Sequence, residues 1–182
     1  FVADDNTAAS ITFSSTTGVN DWSQYLNLMI ICSAQTYDTG SGMNYLRLAV
    51  NDDTNTSSPY SYEVLSTTGD RSSVTVSRST NPNYAQICPN DHDTGATANM
   101  FNANVGIFWD INSGKFKSFS SFTSVDKNGT VNDSVNQSFL TWVKQDPITS
   151  LVFYEANNFP FVTGTRIDLF GCLPKMIDQR AS

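Results

Sequence analysis

Apolar and polar residues alternate along most of this chain of 182 residues. A period of two places successive side chains on opposite faces of a strand, whereas a helix repeats its apolar positions every three or four residues. No segment keeps an apolar period of 3.6 over three turns, so the sequence predicts strands throughout. The predicted strands are rich in β-branched and aromatic residues. They are 9–14, 26–34, 44–50, 60–66, 72–78, 105–111, 115–122, 138–144, 148–156 and 165–171.

Clusters of Gly, Asn, Asp, Ser and Pro separate these runs and predict tight turns. Residues 112–114, Asn-Ser-Gly, are predicted to turn a hairpin between Ile111 and Phe116. Residues 79–101 are the least regular segment and are predicted to form a long loop between two sheets. Many short strands with polar turns favour an all-β fold, an antiparallel β-sandwich that is jelly-roll-like and has about ten strands.

The last predicted strand is the most regular of the set. Ile167 and Leu169 share one of its faces, which we expect to point into the core. The run 148–156 is predicted to be its hairpin partner. In the loop between them, Gly164 supplies a backbone conformation that other residues reach only at a cost.

The length fits one domain, which we expect to span residues 1–171, with 172–182 as a C-terminal tail. Phe1 is not an initiator Met, so we expect the numbered chain to come from a longer product. The formal net charge of −7 argues against a nucleic-acid partner, because phosphate binding needs clustered Lys and Arg. No run of 18 apolar residues is present, so we expect no membrane insertion.

The chain has three cysteines, Cys32, Cys88 and Cys172. Their spacings fit no metal-binding motif. Two interpretations stay open: buried thiols, which we favour, or one disulfide with a remaining free thiol.

Candidate catalytic residues are few. His92 is the only histidine, and although Asp91 and Asp93 flank it, no Gly-x-Ser-x-Gly nucleophile motif is present. Glu63 and Glu155 are the only glutamates, and both lie in predicted strands rather than at an obvious cleft. The sequence therefore predicts a protein without enzymatic activity.

Two acidic loops are candidate cation sites. Residues 90–95 place Asp91 and Asp93 on alternate positions before a Gly, as at the beginning of many calcium loops. The distal bidentate acid of such a loop is missing. Residues 51–55 are similar. The alternative, which we favour for both loops, is a turn held by Asx hydrogen bonds.

Three phrases of the sequence resemble a known family when they are taken together. They are ASITFSS near the start, NYLRLAVNDD at 44–53 and ITSLVFYEANNFPFVTGTRIDLFG at 148–171. Their order is similar to that of bacteriophage virion proteins found in tail-fibre, minor-tail and head-decoration genes, whose members close on a phrase of the form ITSIxxxxxxxNFxxGSRxxLYG. The resemblance covers about residues 8–171, with Thr165 and Phe170 as departures in the closing phrase.

The resemblance implies a non-enzymatic virion structural protein, a surface decoration or a tail-fibre attachment module exposed on the capsid or tail. It implies a homotrimer that contacts other virion proteins, because virion sites commonly impose threefold symmetry. The resemblance also suggests contact with host glycans. The alternative class is a carbohydrate-binding module of a secreted protein. Sugars stack on exposed aromatic rings, and four aromatic residues near turns are candidates. They are Trp22, Tyr37, Tyr60 and Tyr62.

Three apolar residues, Phe159 to Phe161, lie together before the last strand. They form either a plug over the open end of the sandwich or an interface patch. We favour the plug, because the family has a phenylalanine at the position of Phe159.

Overall fold

The computed structural model describes residues 1–37, 44–54, 59–67, 74–80, 82, 84–91, 101–125 and 134–174. These residues form eleven strands, two short 3₁₀ helices (Gly18–Asn20 and Trp22–Gln24) and no α-helix. The strands are β1 (Ser10–Ser14), β2 (Asn27–Ser33), β3 (Asn44–Val50), β4 (Tyr60–Thr67), β5 (Val74–Thr80), β6 (Ala85–Asp91), β7 (Ala103–Trp109), β8 (Lys117–Val125), β9 (Ser134–Trp142), β10 (Ser150–Glu155) and β11 (Arg166–Cys172).

The strands form two antiparallel sheets. The smaller sheet has four strands in the order β1-β10-β3-β6, and the larger has seven in the order β11-β2-β7-β8-β9-β4-β5. Among the described strands, only three connections (β4 to β5, β7 to β8 and β8 to β9) join neighbours in one sheet, and the other seven cross between the sheets. The predicted all-β antiparallel sandwich is confirmed, with eleven strands instead of about ten.

The segment predicted as a long loop contains a strand. β6 pairs with β3 at the edge of the smaller sheet, with two shifts in register. Ala85 and Ile87 face the core and are fully buried. The alternation of apolar and polar residues in β6 is limited to these two positions. Pro89 lowers the strand signal further, although an edge strand tolerates proline. The prediction failed because the apolar pattern of β6 is short.

The predicted pairing of the last strand is wrong. β11 pairs with β2 in the larger sheet, whereas β10 lies between β1 and β3 in the smaller one. The chain crosses between the sheets at Gly164, whose φ of +94° bears out the expected backbone conformation. The expected core face is confirmed: Ile167 is fully buried and Leu169 is half-buried against the core. Alternation identifies an inner face but not the neighbouring strand.

The sequence predicted a tight hairpin here; β7 and β8 do form a hairpin, but the turn is not tight, because residues 110–116 connect the two strands. Trp109 is paired with Ser118, so Ile111 and Phe116 lie in the connection rather than opposite each other. Ile111 turns into the core and donates its N–H to the carbonyl of Leu26 at 3.0 Å. Phe116 stays 55% exposed.

The core lies between the inner faces of the two sheets. Aromatic rings fill much of it, and those of Phe108 and Phe119 lie 4.6 Å apart between centroids. Phe161 is fully buried and bridges to Thr36, while Phe159 is half-buried. Burial of Phe161 favours the plug over an interface patch at this end of the sandwich.

Cys32 is a buried thiol on β2, and Cys172 is a half-buried thiol at the end of β11. The side chain of Cys88 lies outside the described residues, so its state stays a prediction. No helix in the described part of the chain is long and apolar enough to cross a membrane.

Candidate functional site

A groove of about 550 Å³ lies on the outward face of the larger sheet. Strands β4, β5, β7, β8 and β9 each supply side chains to it. We call it the outer groove. The outward-facing residues that line it are Ser61, Glu63, Arg78, Trp109, Ser118, Ser120, Phe139 and Thr141.

The register of the strands arranges these residues in two adjacent rows across the sheet. One row runs Ser61, Thr141, Ser118 and Trp109. The next row runs Arg78, Glu63, Phe139 and Ser120. Neighbouring strands are about 4.8 Å apart and successive rows about 6.7 Å apart, so the Cα atoms of the two aromatic residues, on β7 and β9, are roughly 12 Å apart. Hydroxyl groups of β8 lie between them.

The two aromatic side chains of the groove are exposed. Trp109 is 46% exposed and Phe139 is 41% exposed. The indole Nε1 of Trp109 donates a hydrogen bond to Oγ of Ser120 at 3.3 Å, which ties the ring to the neighbouring strand. Both residues lie on strands that are paired with another strand on each side, so the backbone that holds them is in place before a ligand binds.

The polar part of the groove is rich in hydroxyl groups and electrically balanced. Each Ser or Thr hydroxyl can both donate and accept a hydrogen bond. Glu63 and Arg78 are cross-strand partners at the rim, so their charges offset each other. This combination of aromatic faces, hydroxyls and little net charge suits a neutral ligand with many hydroxyl groups.

The groove lacks a second carboxylate among its described lining residues. Glu63 is exposed on the outward face of the larger sheet, whereas Glu155 is fully buried on the inward face of the smaller sheet. Glu155 accepts N–H groups from Asn157 and Phe159 and holds the turn after β10. The two glutamates therefore do not share a cleft.

The structure corrects three of the four aromatic candidates named from the sequence. Trp22 and Tyr60 are buried, at 5% and 1% exposure. Tyr62 is half-buried and packs against the core. Tyr37 is 45% exposed, but it does not line the outer groove. Proximity to a turn was a poor guide to exposure, because the first residue of a strand can point inward.

Tyr60 has a structural role instead. Its hydroxyl accepts the N–H of Val50 at 2.8 Å and donates to the carbonyl of Asp53 at 3.0 Å. Burial raises the pKa of this phenol above its usual range. The side chain therefore joins the start of β4 to the end of β3.

The sequence did contain a signal for the two aromatic residues of the groove. Phe108 and Leu140 are buried, so alternation directs Trp109 and Phe139 outward. The sequence alone did not decide which member of each apolar pair faces the core. The tertiary structure makes that choice.

The two acidic loops have different outcomes. Asp93 and the side chain of Asp91 lie outside the described residues, as does His92, so the calcium candidate stays a prediction. In the loop after β3, Asn51 Oδ1 accepts the N–H groups of Thr149 and Ser150 at 2.7 and 3.0 Å. These two bonds tie the loop to the start of β10, far away in sequence, and are not the local Asx hydrogen bonds that the sequence predicted. The loop itself turns through a backbone bond from the N–H of Asp53 to the carbonyl of Val50 at 2.9 Å. Across the described residues, no three His, Cys, Asp or Glu side chains are grouped to hold a metal ion.

Comparison with known proteins gives no match to a protein-family model, a curated protein or a solved structure.

Proposed function

We propose that this chain is a non-enzymatic structural protein of a bacteriophage virion, a surface decoration or tail-fibre attachment module that contacts host glycans through the outer groove. The resemblance of the closing phrase, 148–171, supports the virion context. A β-sandwich is compatible with it, since jelly rolls recur in capsid and lectin domains. The proposed partners are further copies of the chain in a homotrimer and other proteins of the capsid or tail.

The single observation that carries the binding role is the pair Trp109 and Phe139 beside a row of hydroxyls on the outward face of the larger sheet. Exposed aromatic rings carry an energetic cost in water unless a ligand covers them. The apolar face of a sugar ring can stack on an aromatic ring. The hydroxyls of the sugar can then form hydrogen bonds with Ser118, Ser120 and Thr141 in the groove. The volume of about 550 Å³ lies within the usual range of small-molecule sites.

The second candidate is a carbohydrate-binding module of a secreted protein. It uses the same groove and the same chemistry, so sugar binding alone does not separate the two. Immunogold labelling of purified phage particles would separate them, because only a virion protein decorates the particle.

Binding to a glycan array tests the groove. We expect the wild-type protein to bind a defined set of neutral glycans and Trp109→Ala to bind them at least tenfold more weakly, since the ring that stacks on the sugar is gone. Phe116→Ala is the matched control: it also removes an exposed aromatic ring, but one outside the groove. Its binding should equal that of the wild type.

Two results would overturn the binding role. One is a wild-type protein that binds no glycan on the array. The other is a Trp109→Ala protein that melts normally and binds as tightly as the wild type.

A further inference from the structure

A second feature lies directly beside the outer groove on the same outward face. Its side chains are apolar, and most are well exposed. Val74, Val76, Phe122 and Val135 are 61–65% exposed, and Ile31 and Val105 are 41% and 44% exposed. We call this surface the apolar patch. It comprises Ile31, Leu65, Val74, Val76, Val105, Phe122 and Val135.

The patch is contiguous across the sheet. Ile31, Val105 and Phe122 are consecutive partners on β2, β7 and β8. Leu65 is paired with Val76 on β4 and β5. Gln137 of β9 connects these two groups, because it is paired with both Phe122 and Leu65. One row of the sheet is therefore apolar from β5 to β2 with a single amide in it.

We infer that the apolar patch is the surface through which copies of this chain pack together. The inference rests on the self-association that the proposed function includes and names its surface, which joins chains in pairs and does not depend on sugar binding in the outer groove. Its first support is the size of the patch. Taking a fully exposed valine at about 150 Å² and a phenylalanine at about 200 Å², the exposed fractions amount to roughly 600 Å².

That area matches what a stable pair needs. A standard interface buries about 800 Å² on each partner, of which somewhat more than half is apolar. The patch supplies the apolar centre, with Gln137 inside it, and Ser124 and Thr67 lie on either side of Val135 in the next row. An exposed patch of this size on a monomer would be at the upper end of what soluble proteins show.

The charge distribution identifies the occupant as a second copy. The chain has a formal charge of −7, so two copies repel each other over most of their surfaces. The outward positions of β2, β7, β8 and β9 carry no charged side chain. The charges on the flanking strands are balanced within each flank. They are the cross-strand partners Glu63 and Arg78 on one side, and on the other the ion pair of Arg166 and Asp168 at 2.7 Å.

A neutral and apolar face can pack against its own copy, whereas a basic or acidic partner would meet no opposite charge on the patch. Two such faces stack about 10 Å apart, as the sheets of a sandwich do. Trp109 is four residues from Val105 along β7, roughly 13 Å at the usual rise per residue. The outer groove therefore borders the contact: Phe139 lies in the row next to the patch, and Trp109 lies on the side away from it.

Light scattering coupled to size-exclusion chromatography tests the inference. We expect the wild-type protein to have twice the chain mass of 20.0 kDa, because a face that packs against its own copy closes at two chains. Phe122→Ser and Val105→Lys should each weaken association at least tenfold and elute as single chains at the same concentration. Both positions face solvent in the isolated chain, so neither substitution should prevent folding, and a thermal melt checks this.

Phe116→Ser is the control, because it removes an aromatic side chain of similar exposure from the connection between β7 and β8. It should keep the wild-type mass. Trp109→Ala should also keep that mass, which separates failure of the groove from failure of the patch. The inference is overturned by a wild-type protein that stays a single chain at about 100 µM. It is equally overturned by an assembly that survives both patch substitutions.

Discussion

Gly106 on β7 shows how closely neighbouring strands of the larger sheet constrain single residues. A Cβ at this position would lie 2.6 Å from Cε2 of Phe119 and 3.1 Å from Cβ of Ser121. The ring of Phe119 is buried against Phe108 and has no free space to move into. A glycine in a strand interior thus marks a close approach of a neighbouring side chain.

Gly106→Ala is expected to destabilise the protein by about 1–3 kcal/mol, the usual effect of forcing extra volume into a packed core. Gly114→Ala is the matched control, since no atom lies within 4 Å of a Cβ there. Urea unfolding of both variants measures the difference. Equal midpoints for the two would contradict the contact between β7 and Phe119.

The ionisation of Tyr60 makes the stability of the folded protein depend on pH in the alkaline range. Burial raises its pKa, so the unfolded chain releases the phenol proton near pH 10 while the folded chain keeps it. A raised folded pKa contributes stability that is complete below pH 10 and is lost as the pH rises above it. Burial also raises the pKa of Tyr154, whereas burial lowers that of Lys117, which acts in the opposite direction.

We expect Tyr60→Phe to cost about 1–3 kcal/mol at pH 8, because the buried N–H of Val50 loses its partner. The gap in unfolding free energy between wild type and variant should narrow above pH 10 by up to about 1.4 kcal/mol per pH unit. Effects of Lys117 and Tyr154 are common to both proteins and cancel. Urea unfolding at pH 8 and pH 11 checks this, and a constant gap would mean that Tyr60 ionises in the folded protein.

At the scale of elements, two predictions from the sequence were wrong, and both concern strands at the edge of a sheet. β6 and β11 each close one edge of a sheet. β6 was missed because its apolar pattern is short. β11 was identified, with the correct inward face, but was assigned to the wrong neighbour.

The inward face of β11 is expected to hold this edge of the larger sheet. Ile167→Ala should cost about 2–5 kcal/mol, because the side chain is fully buried. Leu169→Ala should cost less, since Leu169 is only half-buried. Deleting 173–182 should cost least, because Cys172 keeps its backbone bond to Leu26. Thermal melts give the order, and a truncation that melts below Ile167→Ala would show that the tail belongs to the fold.

At the scale of the whole molecule, the outward face of the larger sheet combines two surfaces with different chemistry. The outer groove is aromatic and hydroxyl-rich, and the apolar patch beside it is aliphatic with one aromatic ring. Chains joined through the apolar patch would carry more than one outer groove in a single assembly. Linked sites bind a multivalent glycan surface more tightly than a single site does.

The sequence by itself determined that the chain is all-β, where ten of the eleven strands lie, and that Ile167 and Leu169 face inward. Alternation of apolar and polar residues is a local property, so it can be recognised in one segment without knowledge of the rest of the fold. The sequence also placed the turn at Gly164. The virion context rests on resemblance of the sequence and stays a proposal.

Only the tertiary structure decided which strands are neighbours and which apolar residues are left outside. In strands such as β7, β8 and β9, both faces carry large apolar side chains, so the sequence does not say that Trp109, Phe122 and Phe139 are exposed. Pairing between distant strands depends on how the two sheets cover each other. That packing assembled the outer groove from five strands and left the apolar patch uncovered.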